Sequence, residues 1–242
     1  MAGARFSRAI VKVSGEALGG GGGFGIDPGM LGYVARELAK AQALGVELGV
    51  VLGGGNIFRG VSQAASGMDR VGADYMGMLA TVINSLALAD ALRREGVGAV
   101  VMSAIPMPQV AEGYVRTKAL EHLRQGKVVV LAAGTGNPFF TTDTAAALRA
   151  LELGAEVLVK ATKVDGIYTS DPETDPDATL IKRTTYREVL ARGLKVMDAA
   201  AISLAEEGAL KVVVVNLSQE DSIRGVLAGE DLGSWVEASD DR

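Results

Sequence analysis

Three glycine-containing loops could hold a charged ligand, because each follows an apolar run. They are Ser14-Gly15 after Ile10–Val13, Gly53–Gly55 after Leu48–Leu52, and Gly134–Gly136 after Val128–Leu131. Where a strand passes through such a loop into a helix, backbone N–H groups can converge on an anion, and glycine lets the backbone come close to it. One such loop alone is more simply an ordinary strand-to-helix turn. Three together predict a phosphate-binding site.

Three charged residues stand beside these loops. Lys12 lies inside the first apolar run, where the alternative is an edge or surface position, and Arg59 follows the triple glycine. Asp143 falls in a first helical turn after two threonines that suit an N-cap. Lysine and arginine neutralise phosphate oxygens, and a carboxylate can orient them. This set fits phosphoryl transfer, which needs positioning and charge stabilisation more than covalent help.

The residues that are missing narrow the chemistry further. The chain has no cysteine and one histidine, His122, so thiolate catalysis is excluded, and a Ser-His-Asp triad or a histidine-bound metal would depend on that one side chain. No Gly-x-x-x-x-Gly-Lys-Ser/Thr motif and no protein-kinase signature occurs. Any metal is expected to be held by oxygens and also by the substrate, as Mg²⁺ is, with no dedicated metal site in the protein.

Charge and hydropathy bound the partners. The net charge is −5, from 24 Lys and Arg against 29 Asp and Glu, and no basic run exceeds two residues, so nucleic acid is not an expected partner. The N-terminal residues lack a long apolar signal core, and no stretch is expected to reach the length of a membrane span. The sequence therefore predicts a cytoplasmic protein without a membrane partner.

Apolar strands alternate with helical patterns along most of the chain. Continuous Val and Leu runs suit strands buried on both faces of a parallel sheet, so we predict a three-layer α/β/α sandwich with a mainly parallel central sheet. The predicted strands are Ala9–Val13, Glu47–Leu52, Ala99–Met102, Lys127–Ala132, Val157–Lys160 and Lys211–Asn216. The predicted helices are Pro28–Leu44, Asp69–Glu95, Tyr114–Gln125, Thr142–Leu153 and Asp198–Glu207. In such sheets ligands bind beyond the carboxyl ends of the strands, where all three glycine loops fall.

Three segments depart from the alternation. Leu18–Gly25 contains five consecutive glycines and is predicted to be a flexible loop; its dinucleotide-like glycine spacing lacks a helix start and is discounted. Met76–Ala89 is apolar on nearly all sides, as in a core helix or a helix partly covered by a partner subunit. Asp165-Gly166 is predicted to form a hairpin turn before a rigid acidic loop, whose spacing does not match a calcium site.

Several long segments of the chain resemble the bacterial UMP kinases (uridylate kinases) of the amino-acid-kinase superfamily. The resemblance runs from about Arg8 to Trp235. It is carried by Lys12–Leu18, Gly53–Gly60, Asp74–Thr81, Thr135–Asp143 and Lys160–Gly166. It implies transfer of the γ-phosphoryl group of MgATP to UMP in pyrimidine nucleotide biosynthesis. It also implies a single domain over residues 1–242, with an acceptor-binding part at about 1–155 and an ATP-binding part at about 156–242.

The resemblance assigns roles residue by residue. It implies that Asp143 orients two catalytic lysines, Lys12 and Lys163, and that Arg59 lies where the two phosphates meet. Tyr168 would lie beside adenine. The residues implied to bind ATP are Lys12, Val13, Ser14, Gly15, Gly55, Arg59, Thr162, Tyr168 and Asp171. Those implied to bind UMP are Gly54, Asp74, Thr135, Gly136, Asn137, Pro138, Phe139, Phe140, Thr141 and Thr142.

The resemblance further implies a homohexamer, inhibition by UTP and activation by GTP. The run Gly19–Gly23 replaces more varied residues in a region that some members of the family use for GTP control, so GTP is only a possible activator here. Two rival functions remain at this point. A kinase of the same superfamily acting on a carboxylate or carbamate should place cations around its acceptor, and a nucleotide sensor should lack Lys12 or Asp143.

Overall fold

A nine-stranded sheet forms the centre of the molecule and carries the three glycine loops singled out above, and two further short strands pair in a separate sheet. The structure is a computed structural model that describes residues 3–59, 67–172 and 174–238. Gly60, which closes the second resembling segment, and Glu173 in the acidic loop lie outside the described residues. The strands are β1 Arg8–Val13, β2 Glu47–Leu52, β3 Ala99–Ser103, β4 Glu112–Gly113, β5 Val128–Ala132, β6 Val157–Thr162, β7 Ile167–Tyr168, β8 Leu180–Ile181, β9 Arg183–Thr185, β10 Lys211–Asn216 and β11 Ser234–Glu237.

The strand order in the sheet is β4-β3-β5-β2-β1-β6-β10-β11-β9, and each pairing is parallel except that of β10 with β11. The central strands β1, β2, β5 and β6 are buried over almost their whole length, as continuous apolar strands covered on both faces should be. The predicted mainly parallel sheet is confirmed. The short strands at the β11 edge were not predicted, because two to four residues give no periodic signal.

Helices cover both faces of the sheet and bury two apolar clusters against it. α1, α2 and α7 pack on one face, and α3, α4, α5 and α6 on the other. The helices are α1 Pro28–Gln42, α2 Arg70–Arg94, α3 Arg116–Arg124, α4 Thr142–Leu153, α5 Tyr186–Ala191, α6 Ala199–Glu207 and α7 Ser222–Ala228. The five predicted helices end within two residues of these bounds, and the predicted three layers are confirmed.

Two local expectations were wrong. Of the segment Leu18–Gly25, predicted to be a flexible loop, Leu18–Gly22 belong to a 3₁₀ helix that begins at Gly15 and is kinked at Gly20, whose φ of 54° suits glycine. Asp165-Gly166 is not the turn of a hairpin, because it precedes β7, and β7 pairs antiparallel with β8, which follows only at Leu180. In both segments the tertiary neighbours override the local sequence pattern.

The expectation that no stretch reaches the length of a membrane span also needs correction. By length and composition alone, α2 could cross a membrane: it has 25 residues and a mean hydropathy of 1.4 in its most apolar window. However, 56% of that window is buried inside the protein, which is typical of a core helix. The sequence-based description of this stretch as apolar on nearly all sides agrees with that burial.

Candidate active site

Lys12 and Lys160 lie side by side on neighbouring strands and share one carboxylate. The register of β1 with β6 pairs Lys12 directly with Lys160. Asp143, in the first turn of α4, receives both: its Oδ1 lies 2.8 Å from Lys12 Nζ and its Oδ2 lies 2.8 Å from Lys160 Nζ. Lys160 Nζ also donates to the carbonyl of Val196. The three side chains form a nearly buried triad with one net positive charge.

Burial and charge act in opposite directions on these groups. Burial alone would raise the pKa of the Asp143 carboxyl, but the charges and hydrogen bonds of Lys12 and Lys160 lower the pKa below its usual value. The pKa of Lys160 is lowered, mainly by burial and also by the charge of Lys12, although Asp143 opposes the change. Asp143 is therefore an ionised carboxylate that orients donors and is poorly suited to act as a base.

The loops after β1 and β2 pack back to back at the carboxyl edge of the sheet. A Cβ on Gly15 would lie 2.7 Å from backbone atoms of Gly53 and Gly55, so only glycine fits there. Arg59 stands at the mouth of the same loops, where its Nη2 bonds Glu16 Oε1 at 2.6 Å and its Nε donates to Gly55 O at 3.3 Å. The arginine is half exposed, so a ligand phosphate can reach it from solvent.

A cavity between α2 and the loop after β5, called here the α2 cavity, collects most of the residues assigned to the acceptor. It is lined by Gly54, Phe58, Arg70, Asp74, Gly77, Met78, Thr81, Gly134, Thr135, Asn137, Phe140, Thr141 and Thr142. Gly136, Pro138 and Phe139 belong to the same loop but do not line the cavity. Phe139, with a positive φ of 71°, and Phe140 are both largely exposed.

Asp74 links the helix wall of the α2 cavity to its loop wall. Its Oδ2 accepts from Phe139 N at 2.8 Å and from Arg70 Nε at 2.8 Å, and the Arg70 guanidinium lies 5.4 Å from the centre of the Phe139 ring. The positive charge of Arg70 is thus already paired with Asp74. The cavity presents hydroxyls, amides and backbone groups around one acidic side chain.

A second cavity, called here the Tyr168 cavity, lies beyond the ends of β6 and β7. It brings together Tyr168 and Asp171, two of the residues assigned to ATP. Its lining is Val164, Gly166, Tyr168, Thr169, Ser170, Asp171, Pro172, Gly193, Leu194 and Lys195. The aromatic ring among small and polar residues suits a flat base with polar edges.

Thr162 and Lys163 line a third cavity, called here the Glu16 cavity, together with Glu16, Ala17 and Leu217. Lys163 is exposed and makes no contact with Asp143 among the described residues. The structure thus pairs Asp143 with Lys12 and Lys160, and the catalytic role of Lys163 stays a prediction. Lys163 follows the end of β6, whereas Lys160 sits in register with Lys12 inside the sheet.

Asp198, the N-cap of α6, connects the start of α4 to the segment that precedes α6. Its carboxylate accepts from Thr141 Oγ1 and, at 2.9 Å, from Thr144 Oγ1, so it holds the start of α4 that carries Asp143. The same segment contributes Val196 O to Lys160 and Lys195 to the Tyr168 cavity. The triad and both side cavities are thereby fixed relative to one another.

The donor set around Asp143 does not form a metal cage. It offers two lysines, which fits a metal brought in by the phosphates of a nucleotide. Elsewhere in the described part of the chain, Glu37, Glu220 and Asp221 cluster closely enough to bind a cation. Lys40 Nζ already occupies that position, 2.8–3.0 Å from an oxygen of each.

The fold is a mainly parallel α/β/α sandwich, and the carboxyl edge of its sheet carries glycine loops and a carboxylate bound by two lysines. Such a fold and site are those expected of a phosphotransferase. The family model of the amino acid kinase family matches residues 7–216, and the chain belongs to that family.

Within the family, the similar proteins are uridylate kinases. Uridylate kinase of Sinorhizobium medicae (strain WSM419) is 54% identical over 224 residues, which cover 93% of each chain. Among solved structures, UMP kinase from Bacillus anthracis has a TM-score of 0.93 at 37% identity, covering 98% of this chain and 97% of that one. UMP kinase from Ureaplasma parvum has a TM-score of 0.90 at 35% identity, covering 96% and 99%.

Sequence reasoning missed several residues of the site. Lys160 carried the same signal as Lys12, a lysine inside an apolar strand, and could have been chosen on that basis. Arg70 precedes Asp74 by four residues, the spacing of a helical ion pair. Asp198 gave only the signal of a helix N-cap, and nothing local indicates that its carboxylate reaches Thr144.

Proposed function

We propose that this protein transfers the γ-phosphoryl group of MgATP to UMP, giving ADP and UDP for pyrimidine nucleotide biosynthesis. The observation that carries this proposal is the triad of Lys12, Asp143 and Lys160, which stands at the carboxyl edge of the sheet together with the α2 and Tyr168 cavities. The similarity of the protein to uridylate kinases over nearly the whole chain supports UMP as the acceptor.

In this proposal the residues neutralise and position two phosphate groups. Lys12 and Lys160 stabilise the charge on the transferred group, and Arg59 leaves Glu16 to contact the phosphates at the loops of Gly15 and Gly55. Such preorganised donors are the main source of catalysis in phosphoryl transfer. Mg²⁺ bound to the nucleotide would neutralise further phosphate charge. Lys163 with Thr162 is placed on the ATP side, and the acceptor and ATP parts divide at about residue 155.

The acceptor is proposed from the lining of the α2 cavity. Thr135 and Asn137 can pair with the amide edge of uracil, and Asp74 can accept from the sugar or base. A carboxylate acceptor would find one cation there, Arg70, whose charge Asp74 already balances. An unpaired charge buried in such a cavity is costly, which disfavours the amino-acid and carbamate substrates of related kinases.

An ADP-release assay across acceptors tests this proposal. UMP should be phosphorylated well and CMP at least about tenfold less efficiently, because about 1.4 kcal/mol from one mismatched hydrogen bond suffices. If aspartate, acetylglutamate or carbamate is the better acceptor, the uridylate assignment is wrong. If the protein binds nucleotides without ADP release, the sensor alternative replaces it.

We also propose a cytoplasmic homohexamer, inhibited by UTP, with GTP as a candidate activator. The outer face of α2 exposes Met76, Leu79, Ile83 and Leu86, the first three of them beside Phe58, and contiguous exposed apolar side chains mark interaction surfaces. UTP carries the same uracil as the proposed acceptor. For GTP, the run Gly19–Gly23 raises the entropy cost of any further ordering, so a small effect is expected.

A further inference from the structure

Two buried asparagines face each other behind the triple-glycine loop. Asn84 lies on α2 with no exposed surface, and Asn56 directly follows the loop and is 1% exposed. Asn84 Nδ2 donates to Asn56 Oδ1 at 2.7 Å, and Asn56 Nδ2 donates back to Asn84 Oδ1 at 3.1 Å. Neither side chain lines the α2, Tyr168 or Glu16 cavity. The pair therefore has no direct contact with the space in which substrates would bind.

The remaining hydrogens of the two amides reach the main chain of two glycine segments. Asn84 Nδ2 donates to Gly53 O at 2.7 Å, and Asn56 Nδ2 donates to Gly25 O at 2.7 Å. Both N–H groups of each side chain are thus used, and each side-chain oxygen accepts one bond. Because an unsatisfied buried polar group is costly, the loop cannot shift without losing several bonds together.

Steric contact holds the same loop against the same helix. A Cβ on Gly54 would lie 2.8 Å from Gly77 O and 2.9 Å from Ala80 Cβ, so the loop lies directly on α2. Thr81, three residues before Asn84 on the same helix face, accepts from Ala133 N at 2.9 Å through Oγ1. One stripe of α2 therefore fixes the loop after β2 and the loop after β5.

We propose that Asn84 is a positioning residue for the acceptor phosphate, acting through Asn56 and Gly53 on the triple-glycine loop. This inference rests on the proposed function and on the expectation that Gly54 contacts UMP. Gly55 of the same loop is assigned to ATP, but Thr162, Tyr168 and Asp171, which are also assigned to ATP, lie on other elements, so the larger effect should fall on the acceptor. Since a displacement of about 1 Å can cost about 10²-fold in rate, Asn84→Ala should lower kcat/KM for UMP by about that factor and leave KM for ATP within about twofold.

Ser85→Ala is the matched control for Asn84→Ala. Ser85 lies next to Asn84 with no exposed surface, and its Oγ donates at 2.7 Å to Thr81 O inside the helix. The Ser85→Ala substitution removes a buried hydrogen bond of α2 but no bond to Gly53 or Asn56, so kcat/KM for UMP should stay near the wild-type value. Asn84→Asp serves as a second variant. It keeps the volume of the side chain but replaces its two donors by an acceptor, and it should show the same selective loss.

Hydrogen exchange of the backbone amides supplies a readout without substrate. In Asn84→Ala, exchange should accelerate at Gly54, Gly55 and Asn56, while the amides of β2 keep their protection. Equal losses in Ser85→Ala and Asn84→Ala, a matching rise in KM for ATP, or unchanged loop exchange would each overturn the inference. If the wild type does not phosphorylate UMP, the proposed function fails, whereas the exchange experiment still tests whether Asn84 positions the loop.

Discussion

At the scale of single residues, the site depends on how Asp143 distributes its charge between two lysines. Its two oxygens each hold one ammonium group at 2.8 Å, so neither lysine is free to move independently. Lys160 has a further acceptor in Val196 O. A carboxylate held in this way keeps two donors oriented before substrate arrives, which is the arrangement that stabilises a developing phosphoryl charge.

Alanine variants should distinguish the kinetic roles of Lys12, Lys160 and Arg59 from that of Lys163. Lys12→Ala, Lys160→Ala and Arg59→Ala should each lower kcat by about 10²–10³-fold, the usual effect of removing one charge-stabilising donor. Lys163→Ala, exposed and away from Asp143, should affect KM for ATP more than kcat. Steady-state kinetics with circular dichroism as the folding check measures this. A large kcat loss in Lys163→Ala with a near-normal Lys160→Ala would reverse the assignment.

The lowered pKa of Lys160 predicts the alkaline limb of the pH profile. The ammonium form is needed to stabilise phosphate charge, and burial makes the proton leave at a lower pH than in an exposed lysine. We expect kcat to fall on the alkaline side below the usual pKa of lysine. Lys160→Arg should shift this limb to higher pH, because arginine stays protonated. An identical limb in both proteins would show that another group controls it.

At the scale of elements, α2 is a wall shared by the core, the α2 cavity and the apolar surface. Its first turns carry Asp74, which holds Phe139 N in the loop after β5, and its middle carries Thr81 and Asn84 against both loops. The outward side of the same turns is apolar and exposed. This explains why the helix has no clean amphipathic pattern, since some polar residues are buried and apolar residues lie on both its inner and its outer side.

Asp74→Asn tests the link between α2 and the acceptor loop. The variant loses the charge that pairs with Arg70 and weakens the bond to Phe139 N, so KM for UMP should rise about tenfold or more, while KM for ATP stays nearly unchanged. Asp90→Asn is the matched control, because Asp90 also pairs with an arginine four residues on along α2 but lies exposed, outside the α2 cavity. Similar KM changes in both variants would contradict the assignment.

At the scale of the whole molecule, the exposed patch of α2 indicates a surface that another copy would cover. Ile83 and Leu79 are each about half exposed, at 50% and 49%, next to a shallow cavity lined by Ile57 and Phe58. Burying a fully exposed apolar side chain stabilises by roughly 1.5–3 kcal/mol, so covering each of these half-exposed side chains between subunits stabilises an assembly by about half of that. Because α2 also carries Asn84 and Asp74, the proposed assembly and the site would share one helix.

Light scattering tests the proposed assembly. At micromolar concentration the wild type should scatter as an oligomer, and Ile83→Glu should dissociate it by placing a charge in the covered patch. Leu190→Glu is a matched control, since Leu190 is 45% exposed on α5 at the opposite face of the sheet. A wild-type mass equal to that of one 24.9 kDa chain would contradict the proposed hexamer.

The sequence alone determined the layers, the long elements and the chemical class of the site. Continuous valine and leucine runs specify buried parallel strands, and glycine after a strand specifies a close backbone approach, because both depend on residues that are neighbours in the chain. Lys12, Arg59 and Asp143 were found in this way. The kind of acceptor came from the resemblance of whole segments, which is also a property of the sequence.

The tertiary structure alone decided which distant residues meet. Lys160 and Lys163 are equally plausible partners of Asp143 in the sequence, and only the register of β1 with β6 places Lys160 beside Lys12. Asn56 meets Asn84, and Asp198 meets Thr144, through packing of α2 and α6 against the sheet. Contacts of this kind follow from strand order and helix placement, which no local pattern encodes, because they are set by the burial of the whole core.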